Sequence, residues 1–216
     1  MAAYGCTRRL LPALVLSLLV LGPAVEAFAY SGYKGYGGDD IDRMKEKHQE
    51  RVTKEAEKYV KALKDVMEDE ERVQTLLQQD EQKARTDAAG DDVKLKRTVR
   101  LVRHKGIKTF LKIDAKYGQL FAGIQKFRKD EGDYFTPEAK GKIDILEVQV
   151  KDQARSNRQR IADLYVDVDE PIKALKVLEG IYKSMSAQER LSAMDLRARI
   201  KGLKAQLGIK DDADGQ

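Results

Sequence analysis

The chain has 216 residues, of which 36% are charged and 42% hydrophobic, and its formal net charge is +5. The charged fraction exceeds the roughly 25% of an ordinary globular domain, and Pro is scarce, as is typical of long helices and coiled coils. The one cysteine precedes the expected mature chain, which excludes disulfides, thiol catalysis and cysteine metal sites there.

Residues 1–29 have the pattern of an export signal. Two arginines precede the apolar run 10–21, and Ala27-Phe28-Ala29 matches a small-x-small cleavage site. The apolar run is shorter than the roughly 20 residues that an uncleaved membrane anchor needs. We therefore expect a cleaved signal peptide, a mature chain that begins at Tyr30 or two residues earlier, and a periplasmic or secreted location.

The segment 30–38 reads YSGYKGYGG and predicts a flexible Tyr/Gly-rich tail, because glycine at this density disfavours helix and strand. We interpret it as a spacer after the cleavage site. The alternative is an aromatic tether that docks on a partner.

Residues 39–133 predict a long antiparallel helical hairpin. The first helix is expected from about Asp40 to Ala88, with Gly90 ending it, and Glu70 interrupts its apolar seam. The second begins near Asp91-Asp92 and ends at Gly132. Its expected seam is Leu95, Val99, Val102, Phe110, Ile113, Tyr117, Leu120, Ile124 and Phe127. The residues expected to widen that apolar face are Leu101, Ile107, Leu111 and Phe121.

Residues 134–208 predict further helices. Thr136-Pro137 starts a third helix, whose seam includes the polar Asn157, and Pro171 starts a fourth. A capping box at Ser186 starts a single fifth helix from Ala187 to Leu207. Its expected seam is Leu191, Met194, Ala198, Leu203 and Leu207. Residues 209–216 form an acidic tail.

No segment alternates with the period of a strand. The predicted fold class is therefore all-α: an elongated antiparallel helical bundle or coiled coil with a C-terminal helical hairpin.

Residues 158–186 resemble one tetratricopeptide-repeat helical hairpin. The residues at the family's intervals are Ile161, Ala162, Tyr165, Ala174 and Leu178. The match covers little more than one repeat, and it departs from the family at Arg158 and Ser186. The resemblance implies a protein-binding groove on this hairpin, with the following helix as a cap. The alternative is two ordinary packed helices with a small residue at a close crossing.

Charge is distributed unevenly along the chain. Residues 39–92 hold 11 basic and 17 acidic residues, residues 94–129 hold 12 and one, and residues 130–216 hold 15 and 17. Two interpretations remain open: the basic segment pairs with the acidic first helix, or it binds an anionic surface or polymer. The candidate surface residues are Lys94, Lys96, Arg97, Arg100, Arg103, Lys105 and Lys108.

No pattern points to catalysis. His48 and His104 lie on different predicted helices, and no metalloprotease, phosphate-loop or dinucleotide motif is present. An acidic cluster at 163–170 is interpreted as helix capping rather than a Ca²⁺ site. We expect no enzyme activity, no cofactor and no metal. The predicted function is a scaffold, adaptor or chaperone-like binder of envelope proteins, with a homo-oligomer open and nucleic acid disfavoured by export.

Overall fold

The structure, a computed structural model, describes residues 38–209, and 92% of these are helical with no strand among them. The all-α prediction is confirmed, and the helices pack against each other as a bundle. The predicted signal peptide, residues 30–37 of the predicted tail and residues 210–216 lie outside the described part of the chain.

Six α-helices follow one another through short connections. They are α1 (Gly38–Ala88), α2 (Asp92–Glu131), α3 (Pro137–Asp167), α4 (Pro171–Ser184), α5 (Ala187–Ser192) and α6 (Met194–Gln206). A single 3-10 turn, Gly132–Tyr134, connects α2 to α3. The predicted limits of the first four helices agree with the observed ones within about two residues, the usual uncertainty of a helix end.

The turn between α1 and α2 is tight. Ala89 and Gly90 both have positive φ angles, of 46° and 89°, so two left-handed residues in succession reverse the chain. Asp91 then caps α2 by accepting hydrogen bonds from the backbone amides of Val93 and Lys94. The two helices are antiparallel, because early residues of α1 contact late residues of α2: His48 lies 2.8 Å from Glu131.

The first core lies between α1, α2 and α3. Its α2 side is the seam that the sequence predicts from Phe110 onwards, and its α3 side begins after the cap at Thr136. The buried members are Val52, Ala56, Leu63, Val66, Ile107, Phe110, Ile113, Tyr117, Leu120, Ile124, Phe127, Ile143, Leu146, Val150, Ile161, Leu164 and Val168. This cluster holds α1 against the rest of the bundle.

The second core joins α3, α4 and α6. Its buried members are Ala162, Ala174, Leu175, Leu178, Ile181, Met185, Leu196 and Leu203. Because Tyr165 of α3 packs against both clusters, α3 links the N-terminal hairpin to the C-terminal helices.

The single fifth helix is a wrong prediction. The chain breaks at Ala193, which has non-helical dihedral angles, and α5 and α6 are separate helices. The break changes the helical phase, so Leu196 rather than Leu191 or Met194 enters the core. Leu191 is 67% exposed and Met194 is 70% exposed. The sequence pattern places both residues in the seam, so these two positions are wrong predictions.

Two residues expected to widen the apolar face of α2 are also exposed. Leu101 and Leu111 point away from the core, whereas Ile107 is buried and Phe121 packs against the first cluster. The apolar stripe of α2 is therefore narrower than the sequence indicates, since only α1 and α3 are available to cover it.

Candidate anionic-partner surface

The seven candidate cations lie on the N-terminal half of α2, and the core positions of that helix determine where they point. Gly106, Ile107, Phe110 and Ile113 are buried against α1 and α3. Side chains on a helix repeat every 3.6 residues, so the intervening positions project outward.

Arg103 departs from the other candidates, because it points inward. Its guanidinium lies 2.8 Å from Glu81 of α1 and 3.4 Å from Asp167 of α3, and its side chain is only 23% exposed. The hydrogen bond to the Glu81 carboxylate raises the pKa of Arg103, and the charge of Asp167 adds to this effect. Arg103 thus joins three helices and is not available to an external partner.

Lys94 is partly engaged as well. Its amino group donates a 3.0 Å hydrogen bond to the carbonyl oxygen of Asp87, in the last turn of α1. A cation at this position also interacts favourably with the negative end of the α1 dipole. The side chain remains exposed, so Lys94 makes an internal contact with α1 and is still accessible from solvent.

The remaining candidates are solvent-exposed. Within residues 42–209, whose side chains the structure describes, their charged groups form no hydrogen bond or ion pair, and neither does that of Lys112. We call this set the basic face: Lys96, Arg97, Arg100, Lys105, Lys108 and Lys112.

One carboxylate lies near an edge of the basic face. A hydrogen bond from Lys173 is the main cause of a lowered pKa at Glu170, and electrostatic interactions with Lys173, His104 and Arg100 add to it. Pairing between α1 and α2 occurs elsewhere: Lys116 lies 2.6 Å from Asp69. Internal complementarity therefore accounts for Arg103 and Lys116, and within the basic face it reaches only Arg100, through Glu170.

Apolar side chains are interspersed with these cations. Val93 is 79% exposed, Leu101 57% and Leu111 43%. Leu101 lies one helical turn from both Arg97 and Lys105, so it shares their side of the helix. The surface is consequently both cationic and locally apolar.

The candidate hairpin residues have a different placement. Ile161, Ala162, Ala174 and Leu178 are almost fully buried, and Tyr165 is partly buried. They hold α3 against α4, and they connect the two cores. Their contacts are internal, with α6 and the first core, so they are packing positions of the hairpin, and the protein-binding groove that the resemblance implies stays a prediction.

Glu70, Tyr117 and Arg160 form a buried polar centre that the sequence pattern does not predict. Glu70 of α1 is only 6% exposed, accepts a 2.7 Å hydrogen bond from Tyr117 of α2, and is bonded by Arg160 of α3. Burial, and then the bond to Glu70, raises the pKa of Tyr117. The available signal was the interruption of an apolar seam by Glu70.

Close by, Asn157 is fully buried, as its seam position predicts. Its amide nitrogen donates a 3.1 Å hydrogen bond to the carbonyl oxygen of Phe110. The other amide atom, Oδ1, is buried and accepts no hydrogen bond from the described residues. The polar centre thus joins α2 to α3 as well as to α1.

A second group fixes the opposite end of the hairpin. Glu131 accepts hydrogen bonds of 2.8 Å from both His48 and Arg51, and these two donors lower the pKa of its carboxyl. The His48 ring also packs against the Tyr134 ring in a tilted arrangement, with centroids 4.0 Å apart. His48 is therefore a contact between α1 and the α2–α3 connection.

The acidic residues near the end of α3 are dispersed among cations. Asp163 is bonded by Arg199, Asp167 lies near Arg103, and Glu170 pairs with Lys173. Among the described side chains, no group of three or more metal-binding residues is arranged around one point. No helix within residues 38–209 has the length and apolar character required to cross a membrane.

Comparisons with known proteins give no relative from which a role can be transferred. No protein-family model, curated protein or solved structure matches this chain.

Proposed function

We propose that this protein is a non-enzymatic helical scaffold that binds an anionic partner through the basic face of α2. One observation carries the proposal: six exposed cations stand on one ordered helix, and among the described residues only Arg100 has an electrostatic partner, Glu170. Clustered like charges repel each other, so this arrangement costs the fold some stability. An anionic partner supplies the missing counter-charge.

The titratable groups elsewhere support a non-catalytic role. The polar side chains that approach burial are committed to contacts between helices, as in the pairs Glu70–Arg160 and Arg103–Glu81. His48 is likewise held between Glu131 and Tyr134. These groups fix the alignment of the bundle, because each makes a hydrogen bond to a different helix.

The proposed location is the cell envelope or the exterior. It rests on the sequence of residues 1–29 alone, in which a charged start, a short apolar run and a cleavage motif follow in order. Determining the N-terminus of the protein exported by a bacterial host tests this part. A mature chain that retains residue 1 would contradict it.

The binding proposal is tested with a variant that removes four exposed charges, R97Q/K105Q/K108Q/K112Q. Its matched control, K61Q/K64Q/K126Q/K129Q, removes four exposed lysines that also lack a described ion pair. We expect wild type and control to bind soluble polyphosphate in a salt-sensitive manner, because the Debye length falls from about 10 Å at 0.1 M to about 3 Å at 1 M salt. The first variant should bind weakly. Equal binding by all three proteins would contradict the proposal.

A second candidate is an adaptor for protein partners through the C-terminal helices. Leu191 and Met194 flank the break at Ala193, and both are more than two-thirds exposed. Two large apolar side chains at one corner are suited to a small pocket on another protein. In crosslinking from the native envelope, L191S/M194S should lose specific products that the quadruple charge variant retains. Identical crosslinking patterns would contradict this candidate.

A further inference from the structure

We propose that the anionic partner of the basic face is a phospholipid bilayer, on which α2 lies lengthwise. This inference rests on the proposed function, and it adds the chemistry of the partner. Its basis is the combination of cations and apolar side chains on the exposed side of α2.

The cations follow the helix axis as a row. Arg97, Lys105, Lys108 and Lys112 are separated by steps of three, four or eight residues, so they lie on one side of α2. At 1.5 Å per residue, the row extends over roughly 22 Å. A row of this length contacts several lipid headgroups at once, and each headgroup phosphate meets a flexible side chain.

The apolar residues within the row distinguish a bilayer from a soluble polyanion. Leu101 occupies the place between Arg97 and Lys105, and Leu111 lies at the edge of the row, one helical turn from Lys108. A polyphosphate chain has no apolar part to cover these leucines. At a bilayer surface, the headgroups receive the cations while the apolar side chains enter the acyl boundary, as in interfacial amphipathic helices.

The folded bundle permits this orientation. The core face of α2, which includes Phe110 and Tyr117, is occupied by α1 and α3, so the helix does not need to unfold or turn over. Arg103 points into the bundle and keeps α2 attached to its neighbours during contact. The bundle therefore approaches the membrane as a unit, and binding should be peripheral and reversible.

The first measurement is cosedimentation with vesicles. Wild type should bind vesicles made of equal parts phosphatidylglycerol and phosphatidylcholine, and it should not bind vesicles of phosphatidylcholine alone. R97Q/K105Q/K108Q/K112Q should lose at least about a hundredfold in affinity, since each cation near an anionic surface contributes roughly fivefold. K61Q/K64Q/K126Q/K129Q should bind as wild type does.

The second measurement follows the depth of residue 101. The chain has no tryptophan, so L101W introduces a single reporter. Its emission should shift to shorter wavelength on anionic vesicles and should be quenched by brominated lipid. The control is I145W, because Ile145 is an exposed residue of α3 with 60% accessibility. Its emission should not change.

The outcomes separate the two proposals. Salt-sensitive binding of polyphosphate without binding of anionic vesicles would overturn the bilayer and leave the anionic-partner function in place. Salt-sensitive binding of soluble polyglutamate, without binding of anionic vesicles, would also overturn the bilayer and would indicate an acidic protein as the partner of the basic face. Vesicle binding without a response at L101W would also overturn the lengthwise docking. Failure to bind any of these probes would reject both proposals.

Discussion

The phenolic oxygen of Tyr117 donates a 2.7 Å hydrogen bond to Glu70, a carboxylate that α1 carries into the bundle. Arg160 of α3 bonds the other carboxylate oxygen. A single side chain therefore connects three helices, and both its oxygens have partners.

R160M should destabilise the protein by about 3 kcal/mol, because it leaves the Glu70 charge buried without its cation. The double substitution E70M/R160M should cost less than R160M alone, since it removes both charges together. Urea unfolding of the two single variants and the double variant measures this coupling. Additive losses would show that the pair does not interact.

The raised pKa of Tyr117 predicts a loss of stability in alkali. Because the folded protein holds the proton more tightly than the unfolded chain does, the contribution is complete below the unfolded pKa of about 10. It declines as pH rises above that value towards the folded pKa. Urea midpoints on either side of pH 10 should show a steeper decline for wild type than for Y117F. Equal slopes would contradict the assignment.

R103Q should lower stability by about 1 to 2 kcal/mol, because Glu81 and Asp167 lose a partly buried, charged hydrogen-bond donor. K108Q removes an exposed charge from the same helix and should change stability by less than about 0.5 kcal/mol. Thermal unfolding compares the two. If K108Q were the more destabilising change, the distinction between inward and outward cations would be wrong.

Two glycines of α2 should respond oppositely to alanine. At Gly118 nothing lies within 4 Å of an added Cβ, so G118A should stabilise the helix by about 0.5 to 1 kcal/mol. At Gly123 the added Cβ would lie 3.1 Å from the Tyr59 ring, whose hydroxyl donates to the Gly123 carbonyl. G123A should therefore be destabilising. Chemical unfolding of both variants checks the difference in sign.

The capping box should make α5 sensitive to acid. Hydrogen bonds from the backbone and side chain of Ser186, together with Arg155, lower the pKa of Glu189 to about 2. Its contribution is complete above the unfolded pKa near 4.5 and is lost as pH falls towards about 2. Amide exchange in residues 187–192 should rise over this window. In E189Q the exchange should be faster at neutral pH and less dependent on acid.

The sequence predicted the elements better than their contacts. Caps at Asp91, Thr136 and Ser186 are local chemistry, so the helix starts that they mark could be predicted closely. The break at Ala193 carries no glycine or proline signal. It coincides with a change of helical phase, after which Leu196 enters the second core while Leu191 stays exposed.

The contacts of the candidate surface residues were likewise harder to predict from the sequence than the helix that carries them. Periodicity places Arg103 only one or two residues from the seam positions, and it cannot show that Glu81 and Asp167 meet there. Sequence also assigned Leu101 and Leu111 to the core, since an apolar stripe does not reveal how many helices will cover it. Their exposure became visible only with α1 and α3 in place.

Asn157 affects how the native alignment of α2 and α3 competes with misaligned arrangements of the same helices. Its amide donates to Phe110 in one alignment of α2 and α3, while its oxygen stays buried without a described donor. A leucine there would give a more stable bundle, but one that tolerates sliding by a helical turn. Sliding α2 along α3 breaks the hydrogen bond from the Asn157 amide to the Phe110 carbonyl, so a misaligned bundle must supply another acceptor or bury the whole amide unpaired. The residue thus lowers native stability slightly and penalises misaligned bundles more, so the chain reaches one pairing instead of several.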